Sequence, residues 1–441
     1  MSAWHLIALT SSKEEIFTTL QTANSLLLNT TVRPKKRYCD RMESGTVMDP
    51  GQLAQRVIQR LRNSGETRPM HFDEDKFAIL IGEIGSDSAA IANLRHIYHD
   101  CDNSPIQHHE EIIAQYVNGW AKERDIPKDY AVAQPRLRVS IQHSGFFERY
   151  PGWIQWDLTS ELSAGLVDDD DDTLSYVPQT FLSDWRVSQE ACMRDALRNL
   201  GKSAWALEQI GHVFRSRAHD SYDAARLLFR DAFRALPLNG DPVVLVPDRD
   251  CLVVTGSDDA DGLKQIAATG HVRIEEASRL ISGTPLILRG NTWEEFHPPD
   301  QTRVAFAHLA RLYDAINYRT QTSFLREQNR GHSDNPLVAD VQVFKTGPDR
   351  YETFTCLPSV GQTLLPKADQ VVLYDLQMET TQVTPWETLF RVLGSKLTPV
   401  QRHPVRYRVE SFPSPAERLE MGGTAQRMET NPPLRLRRRL R

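Results

Sequence analysis

The densest group of potential metal ligands in this chain is His96-x-x-His99-x-Cys101, followed by His108-His109-Glu110. On a helix His96 and His99 lie three apart and share a face, and a second helix then opens with two more imidazoles. If the helices pack antiparallel, His96, His99 and His108 could converge as nitrogen ligands. The spacing matches no zinc signature, however. Surface or half-buried histidines are therefore the reading, with no metal and no cofactor expected. A second constellation is Tyr222, Asp223 and Arg226 on one predicted helical turn, with Asp250 in a predicted hairpin turn. A guanidinium can grip a carboxylate with two parallel hydrogen bonds. Arg226 is thus expected to fork onto Asp250 or Asp223. The fork would either fix helix to sheet or form a recognition site for phosphate or carboxylate beside Tyr222.

Charge runs supply the remaining candidates. Asp168 to Asp172 are five consecutive carboxylates. A calcium loop alternates its oxygen ligands around a glycine turn, so a solid run has the wrong geometry, and a solvated hairpin loop is expected. Asp258-Asp259-x-Asp261-Gly262 is closer in form but reads better as a helix N-terminus, where carboxylates meet the positive end of the dipole. At the C-terminus, Arg435, Arg437, Arg438, Arg439 and Arg441 place five positive charges in the last seven residues, with Leu434 before them and Leu436 and Leu440 between them. Such a cluster suits an acidic protein surface, nucleic-acid phosphates or an anionic membrane face. It has no aromatic side chain on which a base could stack. Gly-x-Ser-x-Gly, Gly-x-x-x-x-Gly-Lys-Ser/Thr and Gly-x-Gly-x-x-Gly are all absent. Serine-hydrolase elbows and nucleotide cradles therefore lack support.

The elements that must position these residues form an α+β pattern. Asp49-Pro50 caps a helix with Leu53, Val57 and Leu61 on its buried stripe. A strand at 77–81, helices near 87–99 and 107–122, and an alternating strand at 137–141 follow. Strands at 153–158 and 174–177 flank the acidic run, a helix spans about 188–200, and another helix begins near Ser221. Val243-Val-Leu-Val246, Pro247-Asp-Arg-Asp250 and Cys251-Leu-Val-Val-Thr255 read as strand, tight turn, strand. Strands joined by hairpins and interrupted by helices indicate an α+β sheet rather than a parallel wind. The pattern breaks at Phe296-His-Pro-Pro-Asp300. A helical pair and strands at 338–344, 352–356 and 370–374 come next. Four regions are expected: a helical extension and linker (1–48), an α+β domain (49–295), a second α+β domain (296–410) and a disordered Arg-rich tail (411–441).

Composition limits the function classes. Across 441 residues, 52 Lys+Arg against 58 Asp+Glu give a formal charge of −6, so the chain as a whole is no general polyanion binder. Hydrophobic residues at 40% are enough for packed cores. No apolar run reaches the roughly 18 residues of a membrane span. The first residues lack the basic lead and long apolar stretch of a signal peptide. Five scattered cysteines fit a reducing cytoplasm better than a disulfide framework.

Leu182-x-x-Trp185, Ala196-Leu-x-Asn199, Tyr222-Asp-Ala-x-Arg226-Leu-Leu and Val246-Pro-x-x-Asp250-x-Leu-Val-Val resemble the YtpQ-like family of uncharacterised bacterial proteins. The resemblance covers about residues 50–290 and is sharpest over 174–290. It implies a cytosolic α+β protein and supplies no reaction, cofactor or catalytic residues. Residues 300–410, including Thr363-Leu-Leu-Pro366-x-Ala-Asp369, look like an extension found in larger relatives. The expectation is a non-catalytic binding or scaffolding protein whose tail contacts an acidic partner, protein or nucleic acid. The alternative is a hydrolase-like enzyme at Tyr222, Asp223, Arg226 and Asp250, or a metal-dependent one through His96, His99 and His108.

Overall fold

The computed structural model describes residues 49–427, apart from 75–76, 83–89, 103, 122–125, 171–173, 203–206, 219, 277–278, 330–334, 348–349 and 423–425. The predicted N-terminal helix and the terminal arginines lie outside the described residues. The chain is α+β. It divides into a larger unit ending at Tyr313 and a smaller one starting at Asp314.

The larger unit opens with α1 (Pro50–Asn63), whose N-cap Asp49 accepts a hydrogen bond from the Gln52 amide at 3.0 Å. An antiparallel meander follows, made of β1 (Met70–Asp73), β2 (Ala78–Ile81) and β3 (Ala90–Asn93), then α2 (Arg95–Asp102) and α3 (His109–Ala121). The helix expected near 87–99 therefore begins as a strand. Ala90 to Asn93 pair along β2, and helix starts only once that ladder ends. Leu53, Val57, Ile79, Ile97, Ile113 and Val117 close this part of the core.

A second sheet is built on β6 (Leu162–Asp169), which pairs with β4 (Leu137–His143), β5 (Gln155–Asp157) and β7 (Leu174–Tyr176). Helix α4 (Ser144–Phe147) follows β4, and α5 (Gln189–Lys202) packs against it. The third sheet has the order β13-β12-β10-β11-β9-β8, with β8 (Leu207–Ile210), β9 (Val213–Ser216), β10 (Pro242–Asp248), β11 (Cys251–Gly256), β12 (Leu286–Arg289) and β13 (Thr292–Glu295). The β10–β11 hairpin is the one its two apolar runs predict. Its alternate residues serve different cores. Val243, Leu245, Cys251 and Val253 face α6 (Ala260–Glu276) and the start of α7 (Asp300–Gln328), while Val244, Val246, Leu252 and Val254 face the core shared with α5. A strand covered on both faces has no position to give to water, so its sequence reads as a continuous apolar run. Asp259 caps α6 as expected, accepting from the Gly262 amide at 2.8 Å.

Two further expectations change. No long helix begins at Ser221; Ala224–Leu228 is a 3-10 turn and Arg230–Arg234 a short helix. The helical pair after residue 300 is the single 29-residue α7. Phe306, Leu309 and Tyr313 on α7 join the larger unit's core, so the division falls inside this helix and not at the Pro-Pro break.

The smaller unit carries the sheet β14-β17-β21-β20 and the sheet β15-β16-β18-β19-β22. Its strands are β14 (Leu337–Val338), β15 (Val341–Gly347), β16 (Arg350–Pro358), β17 (Thr363–Pro366), β18 (Gln370–Asp375), β19 (Thr380–Pro385), β20 (Leu397–Val400), β21 (Arg406–Val409) and β22 (Gln426–Arg427). Helix α8 (Trp386–Leu393) buries Trp386, Leu389 and Leu393 against them. The region from residue 411 is not all tail. Ser414 and Glu417 form a capping box on α9 (Pro415–Glu420), Met421 is buried, and Gln382 binds the Arg418 and Gly422 carbonyls. Within the stretch expected to be disordered, Ser414-Pro415 opens a capped helix and Gly422, at φ 70°, follows its end. Among the described residues no helix is long and apolar enough to cross a membrane.

Candidate functional site

The sequence-predicted residues cluster around the β10–β11 turn, and each has a local reason for its position. The register shift between Leu245 and Asp248 lets the turn swing out, and the Asp248 carboxylate accepts the Asp250 amide at 2.9 Å. Arg273 on α6 forks onto the same carboxylate at 2.6 and 3.0 Å. The turn is a junction of three segments. The Ala224 amide bonds the Arg249 carbonyl at 3.1 Å, the Arg249 amide bonds the Arg279 carbonyl at 3.2 Å, and the Ile281 amide bonds the Pro247 carbonyl at 2.8 Å.

Arg226 is 0% exposed and its fork lands on Asp220, at 2.8 and 2.6 Å, rather than on Asp250 or Asp223. The carboxylate comes from the loop before the 3-10 turn because Ser221, at φ 69°, reverses the chain and the Tyr222 amide bonds back to Asp220 at 3.1 Å. That Asx turn was the available sequence signal. Burial opposes the Asp220 charge, but the Arg226 fork and its positive charge outweigh it and hold the carboxyl below its ordinary value. Asp223 is buried too, and takes the Ser216 hydroxyl and the Ala218 amide. Asp250 pairs with its neighbour Arg249 at 3.1 Å.

Tyr222 is buried and donates to Asp169 at 2.7 Å, across to the end of β6. Burial first, and then the Asp169 charge, push its phenol far above the ordinary tyrosine value, so it stays a proton donor. This contact overturns the solvated-loop reading of the acidic run. Asp168 and Asp169 are strand residues, and Asp168 is buried against Arg136, which also lies 3.8 Å from Asp170. Desolvation raises the Asp168 pKa, partly offset by that arginine. Asp171 and Asp172 lie outside the described residues. Asp169, Asp220 and Arg136 are the partners that sequence reasoning missed.

The histidines do not join this cluster. The side chains of His96 and His99 lie outside those described. His108 is exposed and 3.6 Å from Glu111, while His109 is buried with Nε2 3.1 Å from the Ser104 carbonyl. Among the described residues no three His, Cys, Asp or Glu side chains are grouped to hold a metal ion. Chemically, the cluster is a set of closed hydrogen-bonded pairs, suited to locking a hairpin, a loop and a helix together.

Comparison with family models, with curated proteins and with solved structures finds no match to this chain.

Proposed function

We propose that the protein is a non-catalytic cytoplasmic binding or scaffolding protein of YtpQ-like type, in which Arg435, Arg437, Arg438, Arg439 and Arg441 contact an acidic partner. The observation that carries this reading is the engagement of the four residues named for the hydrolase-like alternative, Tyr222, Asp223, Arg226 and Asp250. Arg226 is closed off by Asp220, Tyr222 by Asp169 and Asp223 by Ser216, while Asp250, 39% exposed, pairs with Arg249. A general acid or base must exchange its proton near the working pH and reach its substrate. A buried phenol held far above its ordinary pKa and a fully buried ion-paired guanidinium do neither. These facts support a bracing role for the resemblance residues, and the partner contact is assigned to the tail on its charge, five arginines in the last seven residues.

The test compares the full chain with one ending at Arg427, titrated against an acidic polymer over a range of salt. Five arginines on phosphates predict a log–log salt slope of about −3.5 to −4.5 for the full chain, and its loss on truncation. Binding that survives the truncation, or that does not weaken with salt, refutes the tail as the contact.

A further inference from the structure

From the end of α4 toward β5 the chain places Phe146, Phe147, Tyr150 and Trp153 within eight residues, and β7 adds Tyr176. Tyr150 lies flat on Trp153, with centroids 4.1 Å apart and planes 13° off parallel. Trp153 lies flat on Tyr176 at 4.7 Å and 9°. Two near-parallel rings at such separations must occupy opposite faces of the indole, so the three form one continuous stack. Phe146 flanks all three rings at 5.3–5.9 Å. The inner end is fixed, since the Tyr176 hydroxyl donates to Ser140 at 3.1 Å and accepts from Gln142 at 3.0 Å. Gly165 on β6 makes room for it, because a Cβ there would sit 2.8 Å from the Tyr176 ring and 2.6 Å from Phe147.

The outer end is open. Tyr150 is 42% exposed. Beside it lies half-buried Arg149, its guanidinium carbon 5.1 Å from the Phe146 centroid and 5.8 Å from that of Tyr150. Arg149 Nε is buried without a hydrogen-bond partner, and the guanidinium has no ion pair among the described residues. Arg226 and Arg136 share such an unpartnered Nε, but they and Arg273 each meet a carboxylate, which Arg149, among the described residues, does not. Folding alone gains little from ending a ring stack in water beside a cation that meets rings but no carboxylate.

We infer that the Tyr150–Trp153–Tyr176 stack, with Arg149 at its open end, is a platform for single-stranded nucleic acid. A base continues the stack on Tyr150, and Arg149 meets a backbone phosphate. An acidic peptide would supply a carboxylate for Arg149 but no flat partner for the ring. A nucleotide repeat carries a π-face and an anion together, and stacking of this kind tolerates any base. The site lies within the larger unit and is argued independently of the Arg tail, although it selects nucleic acid from the two partner classes left open for that tail.

The test uses the full chain at physiological salt, with two labelled strands of equal length followed by anisotropy. One is an oligothymidylate and the other an abasic deoxyribose-phosphate strand of the same charge. The abasic strand reports electrostatic contact, including the tail's, and the difference between strands reports the platform. One stacked base predicts about 5- to 150-fold tighter binding of the thymidylate. Tyr150→Ala removes that difference, Tyr150→Phe keeps it, and Arg149→Gln weakens both strands alike. The proposal is overturned if wild type binds both strands equally or neither. It is also overturned if Tyr150→Ala leaves the preference intact, or if polyglutamate displaces the thymidylate as readily as unlabelled thymidylate does.

Discussion

Asp220→Ala is the substitution that most directly separates bracing from recognition at the β10–β11 junction. It removes the carboxylate at 2.8 and 2.6 Å from a guanidinium that is 0% exposed. Taking one partner from a buried pair costs about 3–5 kcal/mol, because the remaining charge stays desolvated. The Asp220 side chain is 31% exposed, so water can partly replace it, and the lower end, about 3 kcal/mol, is the expected loss. Arg226→Met in the Asp220→Ala background removes the stranded charge and should recover more than half. Tryptophan emission during urea unfolding is a suitable assay, since six of the eight tryptophans lie between residues 120 and 293, inside the larger unit. The transition should move to lower urea with an unchanged slope. A loss below about 0.5 kcal/mol, the range of surface substitutions, or a double variant no more stable than the single one, would sink the bracing argument.

Three more outcomes follow from the same geometry. The folded Asp220 carboxyl sits below its ordinary value, so its contribution is present above the unfolded pKa of about 3.9 and is lost as pH falls through the folded value. Acid unfolding below about pH 4 should therefore be less steep in the Asp220→Ala, Arg226→Met variant than in wild type. In the smaller unit, Arg406 is fully buried and donates to Gln321, Thr322 and the Ala339, Leu364 and Tyr318 carbonyls, with burial lowering its pKa to about 10. Arg406→Ala orphans these acceptors and should cost about 3 kcal/mol or more, read as lost amide-exchange protection from Tyr318 to Leu325 on α7. Gly165→Val drives side-chain atoms into Phe147 and Tyr176, costs about 1–3 kcal/mol, and should change the near-ultraviolet circular dichroism of the ring stack. An unchanged aromatic spectrum would mean that Gly165 does not set the position of the stack.

Local signals were sufficient wherever the partners are neighbours in the chain. Asp49 and Asp259 cap their helices because an N-cap needs only the amides two or three residues on. The β10–β11 hairpin and the α+β class were legible from apolar runs separated by a polar turn. The partner of Arg226 was not, because a 3-10 turn replaced the expected helix and presented Asp220 in place of Asp223 or Asp250. Tyr222 finds Asp169 across 53 residues, and Tyr150, Trp153 and Tyr176 stack only once β7 is laid beside β6. Capping and hairpin formation depend on the few residues at hand. Ion-pair choice, burial on two faces and ring stacking depend on which strands become neighbours, and that was settled only by tertiary packing.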